Sequence, residues 1–531
     1  MHAFSELLDQ LYFTAGNNAK AAIITDYLAH TPDPDRGWAI AALAGTLKFD
    51  FFKRNTVKKL MLERVDPELF ALSYDYVGEM SETVAHLWPQ TSSSEQDALP
   101  SLAEVVEQFQ QCSRNTVGKL LAGYLDSMTA AQRWALIKLG TRGLRVGVSA
   151  RTIKHILASY GNVDVAEVEA IWHGVAPPYT SLLAWLEGRA DKPDIRGEVT
   201  FHPVMLSHPL TDGDLNSWSP ADWQVEHKYD GIRVQLVSTN KGKALFSRTG
   251  DDISSAFPDV LEGLTSHGVV DGELLIMHGT RVDTFNTLQQ RLNRKSPTKK
   301  LLAEYPAGII LYDILIQGED SVTEQPLSHR RKVLETWLCE QNASHLHISP
   351  TLAVDSLEEL NDQYARASED VAVEGLMLKR RASQYVAGRP KGQWYKWKRQ
   401  PKLVDAVIMY AQRGHGKRSS FYSDFTFGAW QGDQLLPIGK AYSGFTDDEL
   451  KKLDNWVRRH TVGRFGPVKE VKKELVIEVA FDAVHPSTRH KSGIALRFPR
   501  FHRIRWDKPA READSLDTVK ALIDTPASRK S

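Results

Sequence analysis

Apolar positions change their spacing twice along the chain. Over about the first 195 residues they recur at intervals of three and four: Leu7, Leu8, Leu11 and Tyr12 share one helical face, as do Val117, Leu120, Leu121 and Tyr124. The polar run Pro89-Gln90-Thr91-Ser92-Ser93-Ser94-Glu95 predicts a loop between two helical groups, and Pro193 to Pro209, with scattered proline and glycine, reads as a linker. From about residue 200 to 400 the spacing is that of strands with short helices. Trp223 and Val225, then Val234 and Leu236, alternate on either side of the tight-turn signal Asp230-Gly231. Val269–Ile276, Ile309–Ile316 and Glu374–Lys379 are further strands, the second apolar enough to be buried on both faces. Beyond 402, Leu403–Tyr410, Phe425–Trp430 and Leu475–Phe481 predict short strands interrupted by one helix, Asp447–His460. The end, from Asp507, is polar and reads as frayed. No internal repeat or extended low-complexity run is present.

Composition narrows the class. A chain of 531 residues has room for about three or four domains, and 42% apolar residues suffice for packed cores. Three follow from the patterning: an all-α domain over 1–200, an α+β core over 201–400, and over 401–531 a small β-barrel of the oligonucleotide-binding (OB) kind. Cys112 and Cys339 are far apart and in no metal-ligand spacing, which excludes a disulfide scaffold and a zinc module and points to a reducing compartment. The amino terminus carries acids and no long apolar run, so no signal peptide is expected; no segment reaches the roughly 20 apolar residues of a membrane span. A cytoplasmic protein is the expectation.

Net charge is zero, yet the charges are unevenly placed. Between Lys379 and Lys402 there is no acid, and the cations are interleaved with Tyr385, Trp394, Tyr395 and Trp397. Lys396 and Lys398 fall on one side of a strand, where both amines can enter one pocket; a polyphosphate between them would remove their repulsion. Five cations between Leu496 and Lys508 form a second polyanion-shaped surface. A third is the glycine-rich loop holding Arg142 and Arg145, followed by Ser149 as a helix cap, a pattern suited to phosphate-backbone contact. Its arginines could instead cap neighbouring helices. Lys228 stands at a strand end before Asp230-Gly231, where its amine can project into a pocket and serve as a nucleophile. Arg233, five residues on, suits phosphate oxygens. The plainer alternative is a solvated hairpin lysine. Acids inside apolar strands (Asp271, Glu273, Asp313, Glu374) are costly unless they meet a cation, a metal or a ligand.

Together and in this order, these segments resemble the covalent nucleotidyltransferases, specifically ATP-dependent DNA ligases. Lys228-Tyr229-Asp230-Gly231-Ile232-Arg233 matches the nucleophile motif Lys-x-Asp-Gly-x-Arg. Ser247-Arg248-Thr249-Gly250, Asp271-Gly272-Glu273, Leu311-Tyr312-Asp313-Ile314 and Glu374-Gly375-Leu376-Met377-Leu378-Lys379 resemble the motifs that follow it. Lys396 and Lys398 fall on Lys-x-Lys, and Arg497 to Lys508 on the terminal basic motif. The helical first 200 residues look like the DNA-binding domain of larger ligases, so the resemblance covers nearly the whole chain.

The resemblance implies a set of roles. Lys228 attacks the α-phosphate of ATP. Glu374 is the leading Mg²⁺ ligand (Mn²⁺ could substitute), with Glu273 on the ribose or the metal and Asp230 assisting. Tyr312 stacks on adenine where the family often has phenylalanine, and its hydroxyl needs a partner. Glu226 and His227 sit at the adenine edge. Arg233, Arg248, Lys396 and Lys398 bind the AMP phosphate and the nick 5′-phosphate; Arg503 and Arg505, helped by Arg497 and Lys508, orient pyrophosphate. Arg142, Arg145 and Arg248 contact DNA. A hinge near Arg399 to Lys402 would let the barrel swing, and a monomer would encircle nicked duplex DNA. The rival readings are an RNA ligase or mRNA guanylyltransferase, which usually lack the long helical domain, and a non-catalytic nucleic-acid clamp. NAD⁺ as adenylate donor is disfavoured by the missing cysteine cluster. The pathway served is not written in the sequence.

Overall fold

The structure is a computed structural model that describes the chain except residues 48–51, 90–99, 217, 293, 295, 368–369, 371, 415–419, 489 and 524–531. The serine-rich loop predicted at 89–95 therefore lies, beyond Pro89, outside the described residues. The chain divides into two compact units: Met1–Val168, Val175–Pro193 and Pro401–Ile523 form one, Glu169–Gly174 and Asp194–Gln400 the other.

In the first unit, helices run from His2–Phe13 to Thr180–Leu186. Their starts are written locally. Ser101 and Thr129 each accept from the amide three residues on, while Glu104 and Gln132 return the bond. Leu7, Leu8 and Leu11 are buried as predicted, but Tyr12 is 44% exposed and meets Trp134 edge-on. Ser149 caps Ala150–Gly161 by accepting from the Thr152 amide.

The second unit is two sheets. The first contains β1 (Trp223–Tyr229); the second contains β2 (Ile232–Thr239), β3 (Gly242–Ser247), β4 (Gly268–His278) and β5 (Ala307–Gln317). β6 (Val373–Arg380) lies between β1 and β7 (Trp394–Lys398) in the first sheet. The two-residue turn Asp230-Gly231 thus joins strands of different sheets and is not a hairpin: β1 pairs with β6, and β2 with β3 and β4. A side chain on Gly231 would meet the Leu274 carbonyl at 2.5 Å, so glycine is what lets the turn lie against β4. Residues 194–209 are not a free linker. Phe201 and Met205 are buried in one cluster with Val237, Tyr385 and Trp394, and His208–Pro209 pairs in parallel with β7. Two apolar residues among prolines left no periodic trace.

The carboxy-terminal strands of the first unit are β8 (Lys402–Arg413), β9 (Tyr422–Gln431), β10 (Gln434–Ala441), β11 (Thr461–Phe465), β12 (Val468–Val471), β13 (Val476–Phe481) and β14 (Arg500–Arg505). They form a half-barrel, not the closed barrel predicted. β8 pairs with β9 along one edge and is shared by β12 and β13 along the other, so the sheet forks. Among the described residues β10 pairs only with β9, and Pro437 removes a donor from that edge. The helix Asp447–His460 forms as predicted: Thr446 and Glu449 make a capping box, acids fill its first turn and cations its last. Its Leu450, Leu453 and Val457 join Phe425, Phe427 and Phe501 in the core. The predicted fraying from Asp507 is not seen as far as Ile523: Leu516 and Val519 are buried in a short helix capped by Ser515.

Candidate active site

The motif residues of the second unit converge from both of its sheets. Lys228, at the end of β1, lies opposite Gly375 of β6 and donates to Oε1 of Glu374, while Lys398 of β7 lies 2.9 Å from Oε2. Gly375 has φ 139° and allows this close pairing: a side chain there would strike the Trp397 carbonyl at 2.0 Å. Burial raises the pKa of the Glu374 carboxyl, but Lys228 and Lys398 outweigh it and hold the group below the usual glutamate value. Lys396 is pushed below the usual lysine value by burial and then by Lys398, Lys228, Arg389 and Arg248. One concentration of positive charge therefore holds Lys396, Lys398, Lys228 and the exposed Arg248 of the turn after β3. Glu374 is the carboxylate among these four cations, which leaves a net positive surface suited to phosphate oxygens.

Glu273, on β4, approaches from the second sheet. Burial lifts its carboxyl to about 7; Lys228 and Arg233 pull it down, and Glu374 and Asp230 push it up. Among the described residues no three histidine, cysteine or acid side chains are grouped to hold a metal, so Glu273, Glu374 and Asp230 do not make a ready cage. Mg²⁺ commonly takes one or two carboxylates and completes its shell from substrate phosphates and water. Glu374 and Glu273 fit that use.

Tyr312, on β5, is half-buried, with the Lys379 ammonium 4.3 Å and the Arg233 guanidinium carbon 5.7 Å from its ring centroid. Its hydroxyl finds no hydrogen-bond partner among the described residues.

Several predicted ligand contacts turn out to be internal braces. Glu226 is 2% exposed; it accepts from Lys379 at 3.0 Å on both oxygens, from Gln224 at 2.7 Å and from Ser349 at 2.7 Å. Its carboxylate belongs to the pocket wall and not to an open adenine edge. The His227 ring meets the Tyr229 ring edge-on, and by strand alternation it projects to the side opposite Lys228. Arg233 is no free phosphate fork: it donates to Asp271 at 2.6 Å, to the Met205 carbonyl at 2.6 Å and to Tyr385 at 3.1 Å, leaving only buried Nε unpartnered. Asp313 forms a fully buried pair with Arg330 and is structural. Lys379, Tyr385 and Met205 were missed as contributors to the site. Lys379 closes the Glu374–Lys379 motif, although no role followed from that place, and for Tyr385 the acid-free segment was the signal present.

The remaining predicted residues lie in the first unit. Arg503 is 61% exposed and 3.7 Å from Glu478. Arg505 is engaged by Asp507 at 2.9 Å and lies 3.6 Å from Asp405, which also holds Lys508 at 2.7 Å. Arg505 is therefore neutralised in place, and Arg503 is the more open cation. Arg142 and Arg145 are exposed in the loop after Ala130–Gly140, both left-handed at φ 56° and 39°. A non-glycine residue rarely adopts that region without a functional or packing reason.

Comparison with known proteins agrees with this geometry. Family models described as the ATP dependent DNA ligase domain and the ATP dependent DNA ligase C terminal region match residues 204–398 and 418–508. A probable DNA ligase of Koribacter versatilis is 31% identical over 98% of this chain and 96% of its own length. A DNA ligase of Methanococcoides burtonii is 31% identical over 80% of this chain and 77% of its own. Among solved structures, one titled Pmar-Lig_PreS3 shares the fold at TM-score 0.62 and 16% identity, covering 94% of this chain and 99% of that one. No described helix is long and apolar enough to cross a membrane. By the Koribacter relative, aligned over nearly its full length, and by the two matched domains, this chain belongs to the ATP-dependent DNA ligases.

Proposed function

We propose that the chain seals nicks in duplex DNA, using ATP, through an adenylate carried on Lys228. The observation that carries this reading is the pairing of Lys228 with Glu374 beside Lys396 and Lys398: a buried-edge amine with a carboxylate partner and a cationic cradle. The amine must first lose its proton to solvent, and Glu374 is the carboxylate that holds it in place. The lysine nitrogen then bonds to the α-phosphorus of ATP, and the bond to the bridging oxygen breaks, releasing pyrophosphate. Lys396, Lys398 and Arg248 hold the phosphates, Tyr312 offers its ring to adenine, and Glu273 faces the ribose or the metal. Glu374 and Glu273 would hold Mg²⁺ or Mn²⁺, with Asp230 assisting at the lysine, and the ion when bound would supply charge compensation on the phosphates. A 5′-phosphate oxygen of the nick next takes the AMP from Lys228. The adjacent 3′-hydroxyl finally attacks that 5′-phosphorus and expels AMP.

The finer organisation belongs to the same reading. Residues 1–200 act as the DNA-binding domain, with Arg142 and Arg145 on the backbone; 201–400 carry the adenylation chemistry; 401–531 serve as the carboxy-terminal half-barrel domain, with Arg503 toward pyrophosphate. A swing about Arg399 to Lys402 would exchange the terminal motif for DNA, and a cytoplasmic monomer would close round the duplex at the nucleoid. The test is intact and peptide mass spectrometry after incubation with ATP and Mg²⁺, then a chase with nicked DNA. An AMP adduct on Lys228 that is lost as the nick closes is expected; no adduct, or an adduct that chases only into RNA, overturns it.

A further inference from the structure

Lys20 stands where few of its preferences are met. It lies near the amino end of the helix Asn17–His30, the positive pole of the helix dipole, and is 8% exposed. Its ammonium has no acid partner among the described residues. It donates to the carbonyl of Val146 at 2.5 Å, 126 residues away, and burial alone lowers its pKa. A buried, unpaired cation is costly and persists where it does something for its surroundings.

What it supports is the loop bearing Arg142 and Arg145. Gly147 has φ 72°, and a side chain there would lie 2.6 Å from the Lys20 ammonium, so loop and lysine are in contact at two points. The loop borders a pocket of about 210 Å³ with an apolar floor that includes Leu43, Leu47, Leu139 and Leu144; Arg142 and Arg145 are its only charged lining residues among those described. A concave apolar surface with two arginines, on a loop held by a buried cation, matches a phosphodiester and its sugar: phosphate at the arginines, deoxyribose on the floor.

We propose that Lys20 is a positioning residue for DNA binding: through the Val146 carbonyl it holds the Arg142–Val148 loop in its left-handed shape, so that both arginines meet one stretch of DNA backbone. The proposal rests on the reading of this chain as a DNA ligase whose helical region binds the duplex. Lys20 acts through the loop and does not itself touch DNA.

The test compares Lys20→Met with Lys20→Arg in the full-length chain, using fluorescence anisotropy on a labelled nicked duplex and trypsin cleavage after Arg142 and Arg145. Lys20→Met removes the donor at similar volume and should weaken binding about tenfold or more, the scale of one charged hydrogen bond. It should raise the KM for nicked DNA more than it lowers kcat and should speed cleavage of the loop. Lys20→Arg, which keeps the donor, should restore both binding and protection. Binding of Lys20→Met within twofold of the parent, or equal weakness of the two variants, overturns the proposal. Should Lys20→Met fail to fold, Gly147→Ala presses on the same contact from the exposed side; it should weaken binding similarly, and wild-type affinity in that variant overturns the proposal as well. A parent chain that bound no nicked duplex would instead sink the ligase reading, and loop cleavage would still decide whether Lys20 holds the loop.

Discussion

The Lys379 ammonium sits 3.0 Å from both carboxylate oxygens of Glu226, and each side chain is 2% exposed. Removing one member leaves the other as a buried, unpaired charge, whereas replacing both by groups of similar shape can be nearly neutral. Lys379→Met should therefore destabilise the adenylation core by about 3–5 kcal/mol. The double variant Glu226→Gln, Lys379→Met should recover most of that loss. Urea unfolding of Lys379→Met, Glu226→Gln and the double variant measures the coupling, and a double variant no more stable than Lys379→Met would show that the pair is not a unit.

At Glu374 a carboxylate serves two lysines, so its removal should act on chemistry more than on stability. Glu374→Gln should reduce self-adenylation about a hundredfold, the usual scale for one electrostatic contact at a reacting centre. Lys228→Ala should abolish the AMP adduct altogether. Gel or mass detection of the adduct separates the two. Sealing of a nick by Lys228→Ala would contradict the covalent route.

How much of this was legible follows from where each partner lies in the chain. Runs of apolar and β-branched residues placed Ala307–Gln317, Val373–Arg380 and Lys402–Arg413 to within three residues; the first is a continuous apolar run because its strand is buried on both faces. Lys228 was legible for its place before Asp-Gly. The braces were not: Arg233 meets Asp271 38 residues away, and Glu226 meets Lys379 153 residues away, distances over which no local pattern extends. The same is true of Asp230-Gly231, whose hairpin look came from its two residues while the pairing was decided by β6 and β4. The half-barrel escaped notice for a related reason: strand count can be read from turns, closure cannot.

Glu273 ties stability to pH. Its folded pKa, about 7, lies above the ordinary glutamate value of 4.5. A raised carboxyl favours the folded state while protonated, so its contribution is present below about pH 4.5 and is lost as pH rises through 7. The stability difference between the parent and Glu273→Gln should fall by up to about 3 kcal/mol across that window in metal-free buffer. Thermal or urea unfolding from pH 5 to 8 reads it, and a constant difference would place the Glu273 pKa back in the ordinary range.

The Arg399 to Lys402 segment spans the boundary between the two compact units, which falls between Gln400 and Pro401. Trypsin should cut the free protein at Arg399, and nicked DNA should protect it if the proposed swing is arrested on the duplex. Equal cleavage with and without DNA would count against a hinge there.

Arg248 and Arg503 should fail at different steps. Arg248 is exposed in the turn after β3, within the field that lowers the Lys396 pKa, so it can serve a phosphate arriving from outside. Lys396 and Lys398 remain to hold ATP without it. Arg248→Ala should still form the adenylate but transfer it to nicked DNA about a hundredfold more slowly, as expected for loss of one phosphate-orienting arginine. Arg503 is the open cation of the terminal motif, since Arg505 and Lys508 are held by Asp405. Arg503→Ala should adenylate poorly with ATP, yet seal a chemically pre-adenylated nick at close to the parental rate, because pyrophosphate leaves before DNA is engaged. Single-turnover assays on ATP, on nicked DNA with pre-formed enzyme adenylate and on the pre-adenylated nick resolve the three steps. If both variants lost the same step to the same degree, the division of labour between the adenylation core and the terminal basic motif would have to be abandoned.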